Sequence, residues 1–285
     1  MVSTTFNNKE IYNQSLELAS DHYENFPVAS FIFPKRIRKD VALIYRFART
    51  ADDIVDEGDE DDKVKLNLLN SFRSDFEESL KGNYKNKFWE LLHQTIIQKQ
   101  LNPQHFLNLL TAFEQDLKQK SYETFEDLLG YCKNSANPVG RIMLELYGIK
   151  SEKIVNYSDK ICTALQLTNF WQDVKIDIHK NRIYIPLDDF EKFNSNSECL
   201  KAEQTPPVLR QIIEYEVKRT DRLFIEGEKI LEFLPYRLRL QVGWTINGGR
   251  KILKKISKSN YDVLNYRPTL SKVDYLSALV GTLFK

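Results

Sequence analysis

The chain predicts an all-α fold in a single domain, a helical bundle. Three observations point there. Apolar residues recur at helical spacing along almost the whole length, no stretch alternates as a half-buried strand would, and neither a Pro/Gly/Ser-rich linker nor an internal repeat divides the sequence. Taken in order, the spacing predicts helices over 8–24, 40–57, 61–80, 84–100, 103–118, 124–147, 159–180, 206–232, 236–257 and 271–283. Asp40 and Asp159 suit helix N-caps, whereas Gly58 and Gly148 suit the left-handed position just past a helix end. Pro103, Pro207 and Pro235 stand where helices can begin. Connections are short except 181–205, which carries Ile183-Tyr-Ile-Pro186 and the polar Asn194-Ser-Asn-Ser197.

Two acidic segments interrupt this pattern: Arg49-Thr-Ala-Asp52-Asp53-Ile-Val-Asp56 and Gln166-Leu-Thr-Asn169-Phe-Trp-Gln-Asp173-Val-Lys-Ile-Asp177. On a helix, Asp52 and Asp56 stand one turn apart on one face, as do Asp173 and Asp177. Like charges at that spacing repel, and an oxygen-liking divalent cation that neutralises them accounts for the arrangement. Two such pairs suggest a diphosphate bridged by Mg²⁺. The polar stripes are long, with Arg49, Asp52, Asp53 and Asp56 in one and Gln166, Asn169, Asp173 and Asp177 in the other. The remaining faces are apolar: Val41, Ala42, Ile44, Tyr45 and Ala48 precede the first motif, and Ile161, Ala164, Leu165, Leu167 and Phe170 surround the second. The bland alternative for either motif alone is a solvated face with a chance acid pair.

The composition narrows the function classes. With 42% hydrophobic and 28% charged residues, the 285-residue chain has the make-up of a soluble globular protein able to bury a large core. A net charge of +1 gives no global attraction for nucleic acid. The densest basic run, Arg250-Lys-Ile-Leu-Lys-Lys-Ile-Ser-Lys258, is either a solvated helix face or a contact for anionic lipid or diphosphate. No run reaches the roughly 18 apolar residues of a spanning helix, and the first residues lack the apolar stretch of a signal peptide. A cytoplasmic location with only peripheral membrane contact is expected. Cys132, Cys162 and Cys199 are odd in number and widely spaced, so they read as reduced thiols, and the four histidines form no zinc-binding pattern. Neither GxGxxG nor GxxxxGK[ST] is present, and a nicotinamide site of that type is not supported.

Pro138 interrupts the stretch at 124–147, so a kink is expected there. Such a kink wraps a helix around a core, or else it lets Ser135, Ala136 and Gly140 open room for a ligand. Ahead of the first acidic helix, His22-Tyr-Glu-Asn25-Phe-Pro-Val-Ala-Ser30 mixes aromatics with polar groups; His22 is either a satisfied core histidine or a ligand-binder.

With these residues in hand, the chain resembles the squalene/phytoene synthases, the head-to-head prenyl transferases of the all-α isoprenoid synthase fold. The resemblance covers roughly residues 15–270 and includes both acidic motifs and the Asn181-Arg-Ile-Tyr-Ile-Pro186 segment after the second. His22–Ser30, Tyr45–Asp59 and Asn137-Pro-Val-Gly-Arg141 look most like the bacterial hydroxysqualene synthases of hopanoid pathways. The resemblance implies a bundle with a central cavity, Mg²⁺ without NADPH, and a prenyl diphosphate substrate. Metal ligands are then expected at Asp52, Asp53, Asp56, Asn169, Asp173 and Asp177, and the catalytic set at Asp52, Asp56, Asp173, Asp177 and Arg49. Substrate contacts are expected at His22, Asn25, Arg49, Lys133, Gln166, Asn169, Arg182, Tyr184 and Arg267. Two family tyrosines are missing. After Tyr131-Cys132 the chain continues Lys133-Asn134, and in the penultimate long helix Gly249 stands where another tyrosine is expected. The implied reaction turns presqualene diphosphate and water into hydroxysqualene and diphosphate, the two losses leaving room for a water. Its rivals are a presqualene diphosphate, squalene or phytoene synthase, and a non-catalytic relative acting through protein contacts.

Overall fold

The computed structural model describes residues 8–21, 33–58 and 60–283. Among these there are helices and no strand: α1 (Asn8–Asp21), α2 (Lys35–Asp56), α3 (Asp62–Leu80), α4 (Lys87–Lys99), α5 (Pro103–Lys118), α6 (Phe125–Ser135), α7 (Asn137–Leu146), α8 (Glu152–His179), α9 (Leu187–Lys192), α10 (Pro207–Gly227), α11 (Tyr236–Lys258) and α12 (Lys272–Leu283). Short 3₁₀ turns occupy Ser197–Lys201 and Glu228–Glu232. The all-α expectation holds, and no described helix is long and apolar enough to cross a membrane.

Several boundaries differ from the sequence pattern for identifiable reasons. Helix α2 starts directly after Pro34, whose ring fixes φ at −54°, so Asp40 lies inside it and pairs with Lys99 at 3.2 Å instead of capping. The basic residues at the start of α2 oppose the helix dipole, but burial of Ile37 and Val41 outweighs that. Asp159 is likewise interior to α8, which begins at Glu152, and it accepts both bonds of a fork from Arg141 at 3.0 and 2.6 Å. The stretch at 124–147 is two helices divided at Ala136, with Pro138 in the first turn of α7, where a missing N–H costs nothing. Gly58 and Gly148 do take left-handed φ values of 78° and 74°.

The chain forms two compact units, Met1–Leu117 with Ile142–Lys150, and Lys118–Arg141 with Ser151–Lys285. In the first, the aromatic centre is Phe47 of α2, whose ring lies 5.0 Å from Phe76 and 5.2 Å from Phe106. Phe47, Ala51 and Val55 recur every four residues along α2 and are fully or almost fully buried. This inward stripe fixes the rotation of α2 and turns Asp52, Asp53 and Asp56 away from the core.

In the second unit α8 packs along α10 and α11, pinned by Trp171 Nε1, which donates to Thr220 Oγ1 at 2.8 Å. Gly140 brings the backbone of α7 against α8: a Cβ there would stand 2.4 Å from Ser158 Oγ and 2.5 Å from Cys162 Sγ. Its small size therefore serves close helix packing, which at this residue favours the packing reading over room for a ligand. Gly249 behaves similarly, because an added Cβ would meet Phe224 Cζ at 2.6 Å and Leu165 Cδ2 at 2.9 Å.

Glu216 of α10 is fully buried and shares the guanidinium of Arg219 with Asp189 of α9, while Arg219 stacks 3.5 Å over the Phe125 ring. Burial pushes the Glu216 carboxyl well above its ordinary range, the neighbouring Asp189 adds to that, and Arg219 opposes it. The folded state thus holds a proton that the unfolded chain releases. Stability is present at low pH and falls as pH rises from the ordinary glutamate range, about 4.3, through the raised folded value. We expect urea midpoints to drop as pH rises above about 4.3, and Glu216→Gln to flatten that slope. An unchanged slope in the variant would place the titrating group elsewhere.

Candidate active site

The first acidic motif occupies the last two turns of α2, at the negative end of its dipole. Four carboxylates there, Asp52, Asp53, Asp56 and Glu57, repel one another, and Arg49 offsets part of this. Its guanidinium contacts Asp53 Oδ1 at 2.6 Å, Glu57 Oε1 at 2.9 Å and Asp52 Oδ2 at 3.4 Å. Desolvation works against the Arg49 charge, but Asp53, Asp52, Tyr45 and Glu57 together raise its pKa. Burial raises the Tyr45 phenol; Arg49 opposes this, while Asp52 and Asp53 add to it, so Tyr45 remains a protonated donor beside the motif. Lys65 of α3, almost fully buried, donates to Val55 O and Gly58 O, both at 3.1 Å, and so caps the carbonyl end of α2 with a cation. Nothing in the sequence marked Lys65, since an isolated lysine on an amphipathic helix usually faces water.

The second motif lies at the corresponding end of α8. Gln166, Asn169, Asp173 and Asp177 are all partly buried on one stripe. Arg267 grips Asp173 with a bidentate fork, Nε to Oδ1 at 2.5 Å and Nη2 to Oδ2 at 3.2 Å, and Gln172 Nε2 donates to Pro268 O at 2.6 Å. These bonds tie the 267–268 segment to α8. Helix α8 ends in a Schellman turn: Asn181 takes φ 56°, Arg182 N donates to Asp177 O at 2.8 Å, and Asn181 N to Ile178 O at 2.9 Å. That reversal places Arg182 one turn-closure away from Asp177 and leads into Tyr184.

Tyr184 is buried and stacks on Phe170 with centroids 3.7 Å apart and planes 7° from parallel. Tyr122 and Tyr131 each lie 5.9 Å from Tyr184, completing a four-ring cluster in this unit. Of these four rings the sequence gives a substrate role to Tyr184 alone; the cluster depends on the parallel bridge between Ser121 and Ile183, a pairing with no local signature. Lys133 is exposed, two residues from Tyr131 but outside the cluster, and Asn134 is partly buried. His22 and Asn25 lie outside the described residues.

The donor set suits a hard cation, because every ligating atom on offer in the two motifs is a carboxylate or amide oxygen. Among the described residues no group of three His, Cys, Asp or Glu side chains converges as a finished metal cage. Mg²⁺ requires none: it takes one or two carboxylates and completes its octahedron with water and phosphate oxygens. Both carboxylate groups sit where a helix dipole favours positive charge, and each is already answered by an arginine.

The architecture is that of the isoprenoid synthases. Residues 19–274 match the pattern of the squalene/phytoene synthase family, and the chain belongs to that family. It is 32% identical over 263 residues to the hydroxysqualene synthase of Rhodopseudomonas palustris, covering 91% of this chain and 88% of that one. With the hydroxysqualene synthase of Zymomonas mobilis it shares 37% identity over 204 residues, 70% of this chain and 67% of the other. The crystal structure of squalene synthase HpnC from Alicyclobacillus acidocaldarius superimposes with a TM-score of 0.81 at 32% identity, over 88% of this chain and 96% of that one. A dehydrosqualene synthase structure gives a TM-score of 0.86 over 97% of this chain and 96% of the other; at 23% identity the likeness is one of fold.

Proposed function

We propose that the protein ionises presqualene diphosphate and captures water, releasing hydroxysqualene and diphosphate. The observation that carries this reading is the complete pair of aspartate motifs in a chain whose relatives include hydroxysqualene synthases at about one-third identity. In the reaction the carbon–oxygen bond to diphosphate breaks, the cyclopropylcarbinyl cation rearranges, and one water adds and gives up a proton, so no reductant enters the balance. Asp52, Asp53 and Asp56, with Asn169, Asp173 and Asp177, would hold Mg²⁺, which would supply positive charge for the departing diphosphate. Arg49, Arg182 and Arg267 add guanidinium charge suited to phosphate oxygens. Tyr122, Tyr131, Phe170 and Tyr184 offer an apolar, electron-rich surface of the kind that steadies a carbocation while excluding stray water. The single catalytic domain expected from the sequence is part of this proposal. Water entry does not depend on a gap at Gly249, since Phe224 and Leu165 occupy it.

A squalene synthase reading is the runner-up, favoured by the likeness to the Alicyclobacillus enzyme. The two separate in one experiment: presqualene diphosphate and Mg²⁺ are incubated in ¹⁸O-water with and without NADPH, and products are read by mass spectrometry. The expected result is an alcohol carrying one solvent-derived ¹⁸O, formed at the same rate in both arms. A hydrocarbon made only with NADPH would favour squalene synthesis, and inert substrate in every arm would favour a presqualene diphosphate synthase, a phytoene synthase or a non-catalytic relative.

A further inference from the structure

A second feature of the molecule involves none of the residues of the aspartate motifs. Helices α10, α11 and α12 enclose an open cleft of about 880 Å³. Its charged lining consists of Lys218 and Arg222 from α10 and Arg250, Lys251 and Lys254 from α11, against one carboxylate, Asp221. Asp221 pairs with Arg250 at 2.8 Å, Glu228 adds a longer contact to it at 3.6 Å, Glu214 pairs with Lys218 at 2.7 Å, and Lys251 donates to Ser277 Oγ at 2.6 Å with Asp274 4.0 Å away. Arg222 and Lys254 carry no ion pair among the described residues, so the cleft holds a surplus of positive charge in a protein whose net charge is only +1. Like charges gathered this closely oppose folding, and an external anion relieves them.

The walls of the cleft carry the second observation. On α12, Ala278 and Thr282 are buried toward α11, with Asn247 Nδ2 donating to Ala278 O and Thr282 Oγ1, both at 3.0 Å. The opposite side of α12 exposes Val273 and Leu276, 75% and 63% accessible. Ser277, on the cleft, lies between these two sides of the helix. Across the cleft, Ile225 is 52% exposed and follows Lys218 and Arg222 on the same face of α10. A basic trough bordered on both sides by protruding aliphatic side chains matches an anionic bilayer surface, whose phosphates meet cations and whose acyl boundary takes Val, Leu and Ile. A soluble anion would leave the aliphatic side chains without a partner.

We propose that this face of α10, α11 and α12 is an interfacial docking surface for anionic phospholipid, with α12 lying along the membrane plane. The surface goes beyond the catalytic reading and its test is independent of turnover. Full-length protein is sedimented with vesicles of phosphatidylcholine alone or of phosphatidylcholine mixed equally with phosphatidylglycerol. The expected result is binding to the mixed vesicles, release by salt, and little binding to phosphatidylcholine. Lys251→Ala with Lys254→Ala should weaken binding by about five-fold per cation removed. Val273→Ser with Leu276→Ser should weaken it again while leaving the circular-dichroism spectrum and melting temperature unchanged. Equal binding to both vesicle types, or wild-type binding by the combined four-site variant, overturns the proposal. So does a calorimetric titration in which inorganic diphosphate binds the cleft lysines while mixed vesicles are ignored, which would make this a soluble-anion site.

Discussion

Asp173→Ala and Asp52→Ala are each expected to reduce diphosphate release by at least about 10³-fold at saturating Mg²⁺, because on the proposed mechanism each removes a ligand of the Mg²⁺ that answers the departing charge. The fold should hardly notice. Both residues are partly exposed and their arginine partners remain solvated, so the stability change should stay within about 1 kcal/mol in either direction. Each alanine also relieves repulsion at a helix end where carboxylates are disfavoured. The check combines steady-state release of diphosphate with thermal melting followed by circular dichroism. Activity that survives both substitutions, or that persists in EDTA, would remove the metal-dependent mechanism even though family membership stands.

Gly249→Tyr, which restores the family's phenol, should fail for steric reasons. The first added atom already falls 2.6 Å from the buried Phe224 ring and 2.9 Å from Leu165, and a whole phenol must displace both. Overpacking of this size costs about 3 kcal/mol or more, whereas the gain in helix propensity over glycine returns only about 0.5 kcal/mol. Urea denaturation should show the loss directly. Adding Phe224→Ala should recover part of it, since the second change makes the volume the first one needs. A Gly249→Tyr protein as stable as wild type would mean that Phe224 does not fill the position.

The elements were legible wherever a short-range rule governs. Pro103 and Pro207 begin helices α5 and α10, Gly58 and Gly148 close turns with positive φ, and both aspartate pairs lie one turn apart on helices. Errors came where tertiary contacts outrank local preference. Asp40 and Asp159 look like caps, yet burial of Ile37 extends α2 backward, and Arg141 takes Asp159 into the interior of α8. For the site, the sequence revealed which side chains carry charge but not what they hold: Arg267 reaches Asp173 across 94 positions, a partnership no local spacing encodes. In sequence Gly249 looks like empty space, because a glycine's neighbours in three dimensions are invisible in one.

The burial of Cys132 has a kinetic consequence. Its thiol has no solvent exposure and burial raises its pKa, so a reagent that attacks thiolates finds nothing to attack while α6 is closed. Covalent labelling therefore waits on opening of this part of the protein, and when the reagent is fast its rate equals the opening rate. Cys132 adjoins Tyr131, so the same event uncovers one edge of the four-ring cluster. The cysteine is a clock for how long the aromatic surface stays sealed, readable by mass spectrometry without any substrate.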